Sequence, residues 1–324
     1  MSKSSSMQAS SSDDTSHHFR SPQSPPEPTG SADQPPVVGL IVFSHANSFP
    51  ASTYKVLFGL LRARGFAIAA LEKYGHDPRY PVTNNWPHLV RQLTDFADEA
   101  ARGSQGPVWF VGHSLGGYLS LMAACRRTSP GGRQVEGVLL LDSPLVGGWR
   151  AGLLRLAKGT GVAKRFPPGA ISRRRRERWA GGPDEIVAHF SRKPTFAGWD
   201  KEVLADYAQH GTVEHESGGR QLSFTRDVET SIYNTLPHQL ARVLRRHPPP
   251  CPVAFIGGTR SNELRQVGIG LTQKVTKGRI QMLEGTHLFP MEHPAVTADA
   301  IVDTLRNMGP RGGTVGESTA EVSS

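Results

Sequence analysis

Two short stretches carry side chains able to make and break covalent bonds. The first is Gly112-His113-Ser114-Leu115-Gly116, at the junction of an apolar run, 107–112, and a helical pattern, 115–127. A G-x-S-x-G pentapeptide between strand and helix is the pattern of a nucleophile elbow. So sharp a turn strains its central residue, and side chains at the flanking positions would strike neighbouring backbone, so glycine stands there. The turn would lift Ser114 Oγ above a sheet and aim the free N–H groups of the next helix at a reacting carbon. The plainer alternative is a glycine-rich turn with an incidental serine. The second stretch is Gly285-Thr286-His287, just past the apolar run 279–284. A serine hydroxyl is a weak nucleophile without a base. Of the 13 histidines, His287 falls just past the last strand pattern and a glycine, which makes it the candidate base. His17 and His18 fall in the N-terminal tail, His113 packs beside the elbow, and His293 precedes Pro294.

Holding Ser114 and His287 together takes a rigid frame, and the apolar runs supply it. Residues 36–43, 66–71, 107–112, 135–142, 252–258 and 279–284 read as strands. Stripes at helical spacing mark 53–64, 86–102, 115–127, 183–193, 236–246 and 293–308. Strands that are apolar nearly throughout, separated by helices, predict an α/β fold with a mostly parallel sheet covered by helices on both faces. The folded core is expected at 37–143 and 248–308. Between them, 144–247 is rich in Arg, Gly, Pro and aromatic residues and reads as a helical cap insertion projecting from the C-terminal edge of the sheet. Residues 1–36 and 309–324 carry too little apolar side chain to offset their ordering entropy and are expected to be disordered tails.

In the order of these motifs the chain resembles the α/β-hydrolases over roughly 37–308. An early strand runs into a His-containing loop, the elbow G-H-S-L-G-G follows, then a cap insertion, and finally G-x-H ahead of E-x-P at Glu292 to Pro294. The resemblance implies an oxyanion hole built from the loop 44–50, SHANSFP, and from Leu115 after the nucleophile. The family's usual His-Gly-x reads His45-Ala46-Asn47 here, so His45 becomes structural. The N–H of Asn47 becomes the donor, with that of Ala46 as second choice. Losing one such donor typically costs about 3–4 kcal/mol of transition-state stabilisation. The family's usual acid positions, after the strand that follows the cap, hold Ser261 and Asn262, neither of which is an anion; Glu263 is one step further. A known variation places the acid at the end of the strand after the nucleophile strand, where LLLDSP puts Asp142. Asp142 is the first choice and Glu263 the alternative, against the competing role of Asp142 as a turn-capping carboxylate before Pro144.

The resemblance thus implies a serine hydrolase acting through an acyl-enzyme on Ser114, needing no cofactor and no metal. A serine at the elbow excludes the dehalogenase and epoxide-hydrolase chemistry of the fold, which needs an aspartate there. The expected substrate is a carboxylic ester, thioester or lipid ester of small to medium size. Trp149, Phe166, Trp179, Phe190, Phe196, Trp199 and Tyr233 are expected to form mostly the cap's own core, a few of them lining an apolar pocket for an acyl or aromatic group. The alternative is a ligand-binding or interaction protein of the same fold with weak or no hydrolysis, kept open by the altered oxyanion loop and the missing acid.

Composition narrows the setting. The net charge is +9, and one run, 173–178 RRRRER, concentrates cations. It reads as a solvated face; without interleaved aromatics or a nucleic-acid module no nucleic-acid partner is expected. Neither an apolar leader nor an apolar run of about 18–20 residues appears, so stable membrane insertion is not expected. Cys125 and Cys251 show no metal or redox spacing, and Cys125 reads as a buried free thiol, which fits a reducing, cytoplasmic location.

Overall fold

The computed structural model describes residues 38–104, 106–126, 130–147 and 172–308. The tails expected at 1–36 and 309–324, and Trp149 and Phe166, lie outside these residues.

Six strands form one parallel sheet: β1 (Gly39–Ser44), β2 (Phe66–Ala70), β3 (Val108–His113), β4 (Val135–Leu141), β8 (Val253–Gly258) and β9 (Ile280–Leu283), in the order β2-β1-β3-β4-β8-β9. Their sequences explain the layering. Along β1, Leu40 and Val42 point to one side and Ile41 and Phe43 to the other, and every residue of the strand is buried. Each face therefore needs helices over it. On one side lie α1 (Lys55–Ala63) and α10 (Pro294–Met308), packing Leu57, Leu61, Ile301 and Leu305 against Ile41, Val111 and Leu139. On the other lie α2 (Pro87–Ala101) and α3 (Leu115–Cys125), packing Leu89, Leu93 and Leu119 against Val42, Phe110 and Leu140. Cys125 is a buried free thiol within this second layer. No described helix is long and apolar enough to cross a membrane.

From β1 the chain steps to β2 on one side, while β3 pairs on the other, Ile41 lying opposite both Ile68 and Trp109. This reversal opens a crevice at the C-terminal ends of β1 and β3, the place where open α/β sheets bind ligands. The loop 44–50 and the elbow 112–116 both start there.

The insertion between β4 and β8, read from sequence as a helical cap, is of mixed structure. It holds helices α4 (Pro183–Ser191), α5 (Lys201–His210), α6 (Arg226–Asn234) and α7 (Leu240–Arg246), but also a three-stranded antiparallel sheet in the order β5-β7-β6. Its strands are β5 (Arg178–Trp179), β6 (Thr212–Glu214) and β7 (Arg220–Leu222), too short to show a two-residue period. Trp179, Phe190, Phe196 and Trp199 are buried with Tyr207 in an aromatic group continuous with the core on the α1 side of the sheet, joined by Phe49 from the loop after β1 at 5.4 Å from Trp199 and 5.6 Å from Tyr207. Tyr233 is half-buried.

The close approach of α3 to β1 makes glycine necessary at 116. A Cβ there would lie 1.9 Å from the Ser44 carbonyl oxygen, a backbone atom with no room to move. Gly116→Ala is expected to cost about 3 kcal/mol in urea denaturation. The control is Gly59→Ala in α1, where a Cβ meets nothing within 4 Å. Relieving glycine's backbone entropy there should stabilise by about 0.5–1 kcal/mol. Equal behaviour of the two variants would contradict this packing.

Candidate active site

Ser114 is the residue between β3 and α3, and its backbone is at φ 53° and ψ −112°, a conformation L-residues rarely adopt. Packing over-determines it. A Cβ on Gly112 would meet the Gly116 carbonyl at 2.3 Å, so the strand and the first helical turn touch directly. The Ser114 N–H donates to the Leu141 carbonyl at 3.0 Å, and the Ser114 carbonyl accepts from Ser143 Oγ at 2.9 Å. The end of β4 thus holds the elbow from below, and Ser114 is left partly exposed above it.

His287 approaches from the loop after β9, with Nε2 3.0 Å from Ser114 Oγ and Nδ1 2.6 Å from Asp142 Oδ2. The carboxylate can only accept, so Nδ1–H is the donor and Nε2 is left to accept the serine proton. Asp142 follows β4 at φ 37°, its side chain fully buried. A buried carboxylate needs donors, and Asp142 has three. Oδ1 accepts the Gly258 N–H at 2.8 Å, and Oδ2 accepts Ser261 Oγ–H at 2.5 Å as well as the imidazole. Ser261 occupies one of the positions where the family's acid usually stands. Here it donates to the relocated carboxylate while its oxygen caps α8 (Asn262–Val267) at Leu264. Glu263, the alternative acid, is half-exposed and 3.8 Å from His287 Nδ1, outside hydrogen-bond range. It contributes charge. Burial opposes protonation of His287, but the Asp142 hydrogen bond and the negative charges of Glu263 and Asp142 outweigh it and hold the imidazole above its ordinary pKa.

The loop carrying His287 has its own brace, which spacing alone does not assign. Glu292 accepts the Thr286 N–H at 2.9 Å and also the Thr286 hydroxyl. A second brace begins at His113, buried between two partners. Its Nε2–H donates to the His287 carbonyl at 2.8 Å, and its Nδ1 accepts Tyr54 Oη–H at 2.7 Å. Burial drives the pKa of His113 well below the ordinary value, which keeps this neutral tautomer. Tyr54 Oη in turn accepts the Ala46 N–H at 3.1 Å. That bond corrects the second-choice oxyanion donor: the Ala46 N–H is already spent inside the protein. Nothing in sequence flags Tyr54, which reads as one more core aromatic.

Among the described residues the N–H groups of Leu115 and Asn47 meet no acceptor. Leu115 opens α3, so its N–H has no intrahelical acceptor, and no described backbone carbonyl accepts the Asn47 N–H. His45 is structural. Its Nδ1–H donates to the Ala46 carbonyl at 2.7 Å, its Nε2 accepts the Tyr74 N–H at 3.1 Å, and burial lowers its pKa to about 4. Asn47 and the following Ser48, at φ 78°, are held by Glu229 of α6. Glu229 is paired with Arg175, so the run 173–178 is not wholly a solvated face: Arg175 turns inward while Arg173, Arg174, Arg176 and Arg178 stay exposed.

Among the described residues Asp142, Glu263 and His287 place ligand-type atoms within 4.8 Å of one another. A metal between the two carboxylates and Nδ1 would have to displace the proton that Nδ1 gives to Asp142, and would leave the ring proton on Nε2, which could then no longer accept from Ser114. The donors are better matched to proton transfer: a serine hydroxyl facing a neutral imidazole nitrogen whose far side is fixed by a carboxylate.

Comparison with known proteins agrees with the fold. None of the curated proteins matches the chain. Among solved structures, E-2-(acetamidomethylene)succinate hydrolase is similar at 18% identity and a TM-score of 0.63, covering 84% of this chain and 93% of that one. The thioesterase domain from the curacin biosynthetic pathway follows at 16% identity and 0.60, covering 84% and 92%. The peroxisomal alpha-beta-hydrolase Lpx1 from Saccharomyces cerevisiae matches at 16% identity and 0.58, covering 88% and 82%. Identities this low show shared architecture alone. The family model for the alpha/beta hydrolase family matches residues 41–300, and the chain belongs to that family.

Proposed function

We propose that the protein is a serine hydrolase that cleaves a carboxylic ester or thioester through an acyl-enzyme on Ser114. The observation that carries this reading is the line Ser114 Oγ, His287 Nε2, His287 Nδ1, Asp142 Oδ2, with steps of 3.0 Å and 2.6 Å across the ring. Ser114 Oγ attacks the substrate carbonyl as its proton passes to His287 Nε2. The new negative oxygen is met by the N–H groups of Leu115 and Asn47. Collapse expels the alcohol or thiol, which takes the proton from Nε2. Water then repeats the cycle on the acyl-enzyme: its proton goes to Nε2, the carboxylic acid leaves, and the proton returns to Ser114 Oγ. Asp142 fixes the tautomer and stabilises the imidazolium.

An apolar acyl or aromatic group of modest size is the substrate class we carry. The aromatic residues of the insertion lend it less than their number suggests, because Trp179, Phe190, Phe196 and Trp199 are buried in the hydrophobic core. The competing reading, a binding protein of this fold without hydrolysis, rests on the missing acid and on the altered oxyanion loop; the hydrogen bond of Asp142 to His287 answers the first and favours the enzyme.

On p-nitrophenyl esters of graded acyl length, Ser114→Ala should lower turnover by about 10⁴–10⁶-fold; an undiminished rate in the purified variant would rule the mechanism out. The two acids should separate. Asp142→Asn is expected to lose about 10⁴ in kcat, whereas Glu263→Gln should retain most of it.

The pH profile carries a further sign. The base works when neutral, so a raised His287 pKa puts the acid limb of kcat/KM above pH 6.5. Removing the Glu263 charge lowers that pKa and should move the limb to lower pH. A limb that stays put or moves upward in Glu263→Gln would contradict the assigned electrostatics.

A further inference from the structure

The arginine run reaches the site through one member. Arg175 Nη1 donates to both carboxylate oxygens of Glu229, at 3.1 and 3.0 Å, and Nη2 donates to Tyr207 Oη at 2.9 Å. Both charges are largely out of water, with side-chain exposures of 17% and 4%. Glu229 uses its remaining capacity on the loop after β1: Oε1 accepts Ser48 Oγ–H at 2.5 Å, and its main-chain oxygen accepts Asn47 Nδ2–H at 3.1 Å. The strand of chain bearing Arg175 is itself fastened to α6. Arg226 Nη1 donates to the carbonyls of Arg173 and Arg175, and Ser172 Oγ bonds Thr230 Oγ1 at 2.7 Å.

The loop needs such a tether. Ser48 sits at φ 78°, which a residue with a Cβ leaves unless held. The Asn47 peptide lies between two clamps, the Ala46 N–H tied to Tyr54 on one side and Ser48 tied to Glu229 on the other. Releasing either side lets the Asn47 N–H turn away.

We propose that Arg175 is a positioning residue for the oxyanion hole, acting through Glu229 and Ser48 on the direction of the Asn47 N–H. This rests on the reading of Ser114 as nucleophile and of Asn47 as an oxyanion donor. It makes the insertion part of the catalytic geometry, since the Ser48 side of the oxyanion loop is held by Glu229 while 172–175 and α6 are docked on it. A donor that meets charge only in the transition state affects kcat and leaves ground-state binding nearly untouched.

The test uses the full chain and three variants, Ser48→Ala, Arg175→Lys and the double variant. Ser48→Ala removes one hydroxyl. Arg175→Lys keeps the charge but cannot reproduce the two-oxygen fork together with the Tyr207 contact. Active sites are counted by fluorophosphonate titration, so that kcat is expressed per competent Ser114 and a misfolded fraction drops out. Each single variant should lose about 10–100-fold in kcat, below the ceiling of about 10²–10³ for complete loss of a donor, with KM within about twofold. The double variant should be no worse than the poorer single, because both cut the same tether. Wild-type kcat per titrated site in both singles, losses that multiply, or a loss confined to KM would each overturn the proposal. Absence of Ser114-dependent labelling in the wild type would instead overturn the hydrolase reading, and this inference with it.

Discussion

A fully buried carboxylate at the end of β4 governs the site. An aspartate removed from water is tolerated only if its oxygens are occupied, and leaving one uncompensated costs several kcal/mol. Asp142 resolves this by drawing in the Gly258 N–H from β8, the Ser261 hydroxyl from the start of α8, and His287 from beyond β9. Three chain segments converge on one side chain. The same contacts fix which imidazole nitrogen carries the proton and which faces Ser114, so the electrostatic need and the chemical need have a common solution.

Around that centre the sheet does the placing. The reversal of strand order at β1 and β3 brings two loop ends together, and the direct contact of Gly116 with Ser44 leaves no space for them to drift apart. The bond series from Ala46 through Tyr54 and His113 to the His287 carbonyl joins the oxyanion loop to the base loop behind the elbow. On the outer side Glu229 and Arg175 hold the loop from the insertion. Ser114, His287 and the N–H groups of Leu115 and Asn47 are therefore each fixed by at least two elements, as the proposed acyl transfer requires.

Much of this is legible in the sequence. The six strands are apolar runs bounded by breakers, the elbow is a local pattern whose glycines have a steric cause, and Asp142 and His287 sit at strand ends that a parallel sheet must bring to one edge. What stayed hidden depends on side chains far apart in the chain. Ser48 meets Glu229 across 181 positions, and no local pattern distinguishes that glutamate from a surface one. Arg175 looks like its exposed neighbours, and only its partner 54 positions on turns it inward. The strands of the insertion are two or three residues long, and α8 and α9 (Gly270–Thr276) are six and seven residues, below the length at which a period declares itself. Ser261 was visible as the wrong residue for an acid; its use as a donor became readable once Asp142 had a place.

The most direct measurement is proton NMR of the His287 ring N–H, assigned with ¹⁵N-histidine labelling. A strongly downfield N–H resonance is expected in the wild type, lost in Asp142→Asn and in His287→Gln, and kept in Glu263→Gln. A resonance that survives Asp142→Asn and vanishes in Glu263→Gln would contradict the account, because the imidazole would then be held by the exposed carboxylate instead of the buried one.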